Sequence, residues 1–321
     1  MTDPQTSKRF ARYAWFVLGW NIVVILWGVF LRASKSGDGC GQHWLTCGGE
    51  VIPSAPELKT VIEYSHRITS FLAFVAVLVL VVWTFRKFEK GSPIRKTAML
   101  SLVFVITEAL VGAGLVLTGN TAETLTAARP FWMAGHLINT FILLAFLTLT
   151  ARYASGGAPL TFQVDKKYLL AIGVGVAAVL IVGITGSIAA LSTMLFPSTT
   201  LTEGVAKDLS SASNVLVRLR LLHPIVAILT SVFLVFLTGW LAKEQDQPAV
   251  KRWSNVLAVL VLAQIAFGAA TLFLLAPIIM QLGHLFLADA IWISYVLLAA
   301  SFLSTGTTID SAIENRERLA A

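Results

Sequence analysis

Long apolar runs, broken at regular intervals by short polar segments, dominate the chain. Taken as membrane spans, they fall at 13–33, 60–85, 97–118, 130–152, 168–190, 217–241, 253–275 and 279–304. Each holds roughly the 20 apolar residues that cross about 30 Å of hydrocarbon. In lipid such a run satisfies its backbone polar groups by coiling into a helix. The pattern therefore predicts an all-α membrane protein of eight transmembrane helices. Composition agrees: 56% of the 321 residues are hydrophobic and 13% charged, about half the charged fraction of a soluble domain.

Every other connection is basic. Lys8, Arg9 and Arg12 precede span 1; Arg86, Lys87, Lys90, Arg95 and Lys96 follow span 2; Arg152, Lys166 and Lys167 follow span 4. Lys243, Lys251 and Arg252 follow span 6, and Arg316 and Arg318 follow span 8. The positive-inside rule then puts both termini and these connections in the cytoplasm. The outer connections are 34–59, 119–129, 191–216 and the tight Ala276-Pro277 turn. The net charge of +7 thus reads as a topology signal, and no basic patch with interleaved aromatics points to nucleic acid. The first apolar run has the flanking charges of a secretory signal, but Tyr13 to Leu31 exceeds the 7 to 15 residues of a signal core. No Arg-rich, Ser-rich transit peptide precedes it, which favours a bacterial chain.

The two halves repeat. Span 3 carries Glu108-Ala-Leu-Val-Gly112-Ala, and about 156 residues later span 7 carries Gln264-Ile-Ala-Phe-Gly268-Ala. His66 and His136 of spans 2 and 4 correspond to His223 and His284 of spans 6 and 8. The expected architecture is two tandem four-helix bundles, 1–160 and 161–321, related by pseudo-two-fold symmetry about the membrane normal.

Four of the five histidines therefore share one address, about 9 Å inside the outer end of an even-numbered span at 1.5 Å per residue. A single intramembrane histidine is as readily explained by a hydrogen bond to a neighbouring helix. Four at matching repeat positions point instead to two pairs, each ligating a haem iron between facing helices. Carboxylate-rich or cysteine-rich clusters for a non-haem metal are missing. His43, in the first outer loop, reads as a solvated surface residue.

Function shows where the repeat breaks. Glu63 lies one turn before His66, whereas Arg220 lies one turn before His223. Glu63 suits proton acceptance or stabilisation of positive charge on a bound substrate. Arg220 and Arg218 suit haem propionates, as do Arg67 and Arg129 near the first pair. Ordinary snorkelling arginines and an interfacial carboxylate are the bland alternatives. Mid-span Glu108, whose repeat mate is Gln264, either joins a proton path or bonds across helices. Cys40 and Cys47, the only cysteines, lie in the glycine-rich first outer loop, where a disulfide would persist; a structural staple and a redox role by thiol exchange both stand.

Together these residues resemble the haem A synthase family over nearly the whole chain. The resemblance rests on Glu63-Tyr-Ser-His-Arg67, Gly135-His136-Leu, Arg218-Leu-Arg-Leu-Leu-His223-Pro, Gly283-His284 and the spacing of Cys40 and Cys47. It implies an oxidoreductase of the bacterial cytoplasmic membrane that converts the C8 methyl of haem O to the formyl group of haem A, for terminal oxidases. It implies that His223 and His284 hold a permanent haem b. His66 and His136 would receive haem O, with haem A as product, and Glu63 near the reacting methyl. The partners it implies are haem O, a membrane electron acceptor, haem O synthase, terminal oxidase assembly factors and a second copy of the chain. Two departures stand out: residues 191–216 lack the second cysteine pair of some members, and the frequent Cys-Pro-Asp-Trp reads Cys40-Gly-Gln-His-Trp44 here. The competing reading from composition and histidines alone is a dihaem electron-transfer protein of the cytochrome b type. That reading predicts pairs at opposite depths.

Overall fold

The computed structural model describes residues 4–304, with side chains from Lys8 onward; Arg316 and Arg318, used above to orient the C-terminus, lie outside the described residues. These residues form ten helices and no strand. The helices are α1 (Pro4–Ala33), α2 (Leu58–Lys87), α3 (Pro93–Leu117), α4 (Arg129–Ala154), α5 (Lys166–Leu195), α6 (Leu201–Leu209), α7 (Val215–Leu219), α8 (Leu222–Glu244), α9 (Pro248–Phe273) and α10 (Ile278–Leu303). Eight segments are long and apolar enough to cross a membrane, with α7 and α8 counted together as one span.

The helix starts follow local chemistry. Pro93, Pro130 and Pro248 stand in the first turn of α3, α4 and α9, where the missing N–H is no loss. Asp165 caps α5 by accepting from the Lys167 N–H at 3.0 Å. Within span 6 the helix breaks at Arg220 and Leu221. Pro224 lacks an N–H and its ring clashes with the carbonyl four residues earlier, that of Arg220. Hydropathy predicts one helix over span 6 and a plain loop over 191–216; the structure places the break just ahead of His223 and puts α6 inside that connection.

Helices α1 to α4 pack on one another, as do α5, α8, α9 and α10, and α4 and α10 join the two groups. The most enclosed span is α10: 61% of its apolar window is buried, against 11% for α9. Two hydrogen bonds fix α10 to neighbours on both sides. Trp292 Nε1 donates to the Phe141 carbonyl of α4 at 2.6 Å, and the Tyr295 hydroxyl donates to the Ile172 carbonyl of α5 at 2.6 Å. The outward faces of other spans carry exposed Phe71, Leu170, Phe236 and Val259. In a bilayer such surface costs nothing, because lipid tails are equally apolar.

Candidate functional site

All four span histidines lie about two turns inside their spans, at the end of the bundle that carries the α1–α2 connection. Three of them rest against a glycine of an odd-numbered span. A Cβ at Gly28 would lie 3.0 Å from His66 Cε1, one at Gly186 2.9 Å from His223 Cε1, and one at Gly268 2.9 Å from His284 Cε1. Only a residue without a side chain lets the imidazole approach that closely. No local pattern marks these glycines as seats, although Gly268 lies in the repeated segment and Gly28 and Gly186 recur at nearly the same offset.

The second pair faces ring to ring. The His223 and His284 centroids are 6.2 Å apart with planes at 87°. A metal–imidazole bond of about 2 Å, plus about 1 Å from nitrogen to ring centre on each side, separates two rings that share one metal by about 6 Å. The spacing therefore fits a bis-histidine iron. His284 Nδ1 is buried without a hydrogen-bond partner, while His223 Nδ1 lies 3.3 Å from Thr185 Oγ1. Gln264 holds the His284 backbone, donating to its carbonyl at 3.1 Å.

The first pair differs. Among the described residues no ring contact joins His66 to His136. Gly112, the counterpart of Gly268, has nothing within 4 Å of a built Cβ, so His136 is not seated there. Instead His136 Nδ1 lies 3.2 Å from Glu108 Oε1, within ion-pair reach but without hydrogen-bond alignment. Glu108 accepts from Asn139 Nδ2 at 2.5 Å and from the Thr140 hydroxyl. Asn139 also donates to the Phe104 carbonyl at 2.8 Å. Of the two roles left open for Glu108, cross-helix bonding is the one its contacts display. A carboxylate this close behind an imidazole also orients it.

Glu63 lies under the α1–α2 connection and is 3% exposed. Its Oε2 accepts the Cys40 N–H at 2.9 Å, and its Oε1 pairs with Arg67 Nη2 at 2.5 Å. The other arm of Arg67 donates to the His43 and Thr46 carbonyls at 2.7 and 2.8 Å. Cys40 and Cys47 form a disulfide and are buried. The loop docks so closely that a Cβ on Gly39 would come 2.4 Å from the Lys59 carbonyl, and the Thr60 hydroxyl donates to the Gly39 carbonyl at 2.7 Å. His43 is exposed, as expected.

The remaining arginines have local duties. Arg129, 2% exposed, gives both guanidinium arms to the Thr124 and Ala122 carbonyls. Arg220 pairs with Asp208 and donates to the Gly204 carbonyl at 3.1 Å, latching α6 over span 6. Arg218 is exposed. In α10, Asp289 is fully buried with neither oxygen partnered. Its signal in the sequence is an acid deep in an apolar run, a feature absent from the expectations above.

The family model described as cytochrome oxidase assembly protein matches residues 11–296. The chain belongs to the cytochrome oxidase assembly protein family. Among curated members, a protein of Halalkalibacterium halodurans named Heme A synthase is 31% identical over 77% of this chain and 81% of its own length. Another Heme A synthase, from Alkalihalophilus pseudofirmus, is 27% identical over 88% and 92%. A Thermus thermophilus protein named Protoheme IX farnesyltransferase is 46% identical over 95% of this chain but 50% of its own length. The chain thus spans about half the length of the Thermus relatives it matches. With eight apolar spans and bacterial relatives, this family member is a multi-pass protein of the bacterial cytoplasmic membrane.

Proposed function

We propose that the protein is a haem A synthase, oxidising the C8 methyl of haem O to a formyl group. The observation that carries this reading is the inequality of two similar histidine pairs. One, His223 and His284, stands ring to ring on two glycine seats; the other has Glu63, a buried glutamate beneath a disulfide loop, three residues before His66 in α2. The relatives named Heme A synthase supply the reaction class.

In this reading His66 and His136 coordinate haem O, and His223 and His284 hold a resident haem b, which supplies one-electron transfer when bound. The methyl, with one water, gives the aldehyde, four electrons and four protons, through the alcohol and the hydrated aldehyde. The electrons pass to a membrane acceptor. Glu63 stabilises the cation developing on the reacting carbon, and Arg67 holds its carboxylate in place. Cys40 and Cys47 are shielded from thiols in the docked loop, which favours a staple over exchange.

The finer architecture belongs to the same proposal. Residues 1–160 and 161–321 form two four-helix units related by pseudo-two-fold symmetry, with both termini cytoplasmic. The Thermus relatives, named for farnesyl transfer to protohaem IX and twice as long as the match, support a farnesylating enzyme as supplier and neighbour. Terminal oxidase assembly factors would receive the product. The dihaem electron-transfer alternative needs pairs at opposite depths for transmembrane conduction, and all four histidines lie at one end of the bundle.

Glu63→Gln is the test. Haem content should stay at the wild-type level while haem A formation falls by about 10²-fold, the usual cost of one electrostatic group. Undiminished haem A in extracted pigment would sink the assignment of Glu63.

A further inference from the structure

We propose that the open groove between α3 and α4, beside His136, binds the isoprenoid tail of the substrate. This rests on haem O being that substrate, and it explains how the chain sorts a prenylated haem from an unprenylated one.

The groove is a shallow, open one of about 320 Å³, lined by Val111, Ala128, Phe131, Trp132 and Gly135. Its volume lies at the lower end of small-ligand pockets, about 300 to 1,000 Å³. Every lining side chain is apolar. Trp132 forms one wall by lying on α3 so closely that a Cβ on Gly114 would meet its Cη2 at 2.5 Å. Gly135 borders the groove and immediately precedes His136, so whatever lies there touches the ligand-bearing turn of α4. Phe131, 78% exposed at the rim, leaves the groove open sideways to lipid.

The second half shows what a closed groove looks like. Phe267 stands where Val111 does, and Gly283 where Gly135 does. A Cβ built on Gly283 would lie 2.6 Å from Phe267 Cζ, whereas one on Gly135 meets nothing within 4 Å. The phenyl ring of Phe267 therefore fills the position that Val111 leaves free. Haem O differs from protohaem chiefly by its long hydroxyethylfarnesyl chain in place of a vinyl group. A pair with an open apolar groove suits the prenylated haem, and a pair with the groove plugged suits the unprenylated one.

The test uses the full-length protein in nanodiscs, with absorbance at the His223 and His284 pair reporting that each variant is folded. Haem O and protohaem are titrated separately, with affinities read optically and bound haems identified after extraction. A phenyl ring forced into space that the tail would fill costs about tenfold or more, as overpacking does, and the lipid around it offers no compensating transfer energy. Val111→Phe, which copies the second half, should weaken haem O uptake at least about tenfold and leave protohaem uptake unchanged. Gly135→Leu, blocking from the other wall, should do the same, and Val111→Ala should retain haem O. Wild-type haem O affinity in both blocking variants overturns the groove assignment, as does equal weakening of the two haems. Failure of the unaltered protein to take haem O at the His66 and His136 pair overturns the substrate reading itself, and the groove falls with it.

Discussion

Arg67 is the residue whose replacement reports most directly on the loop between α1 and α2. Its guanidinium ties a buried carboxylate, Glu63, to the carbonyls of His43 and Thr46 by three contacts of 2.5 to 2.8 Å. Charge-assisted hydrogen bonds contribute about 1.5 to 3 kcal/mol each when desolvated. Because the Arg67 side chain is 21% exposed, a lower figure of about 1 kcal/mol per bond is appropriate, or about 3 kcal/mol for the clamp. Tenfold in an equilibrium is about 1.4 kcal/mol, so Arg67→Ala should raise the population of the undocked loop about 10²-fold. Cys40 and Cys47 are only 1% and 3% exposed, so a reductant reaches the disulfide through that undocked state. The assay is the rate of disulfide reduction by a small phosphine under native conditions, followed by thiol labelling. Arg67→Ala should accelerate it about 10²-fold. Arg67→Lys should show most of the acceleration, because a single ammonium cannot reach both carbonyls and the carboxylate with fixed geometry. Reduction of Arg67→Ala at the wild-type rate would show that the loop is held by Gly39 packing and Thr60 instead.

Gly186→Ala and Gly268→Ala each drive a methyl to within 2.9 Å of an imidazole carbon, so on the proposed haem b assignment both should lose that haem, seen as lost absorbance in purified protein. Gly112→Ala, which meets nothing, should keep it. Outside the membrane, Lys207 and the Thr199 N–H and hydroxyl hold the Glu203 carboxylate down at about 2. The folded value is depressed, so its support of α6 is fully present above the ordinary carboxylate range near 4.5 and is lost as pH falls through about 2. Amide exchange in 199–209, corrected for intrinsic rate, should stay slow at pH 5 and quicken between pH 4 and 2; Glu203→Gln should remove the dependence.

The eight spans were legible because a bilayer demands length and apolarity, and both are local properties. So was the common depth of the histidines, since it needs only the helical rise. The break in span 6 was written in His223-Pro224 and went unread because hydropathy does not register a missing N–H. Helix α6 was also legible: Leu201, Val205 and Leu209 share a face, and Thr200 precedes Glu203 by three residues, the spacing of a capping box. The direction of Arg67 was not. Sequence suggested propionates, but its partners lie on a loop that folds back across more than twenty residues, and no local pattern encodes that return. The glycine seats are contacts between neighbouring helices, legible only once the spans are packed.

The bonds of α10 to α4 and α5 have a mechanical consequence. His136 stands on α4 and His284 on α10, and Trp292 Nε1 joins these two helices through the Phe141 carbonyl at 2.6 Å. One histidine of each pair is therefore mounted on a shared strut, whose own position Tyr295 fixes against α5. Relative to that strut, the distance between the two ligand turns is set by tightly packed helices and changes little. If the first pair takes a haem as proposed above, the elements left to give way around it are α1, α2 and α3, which carry Gly28, His66 and Glu108.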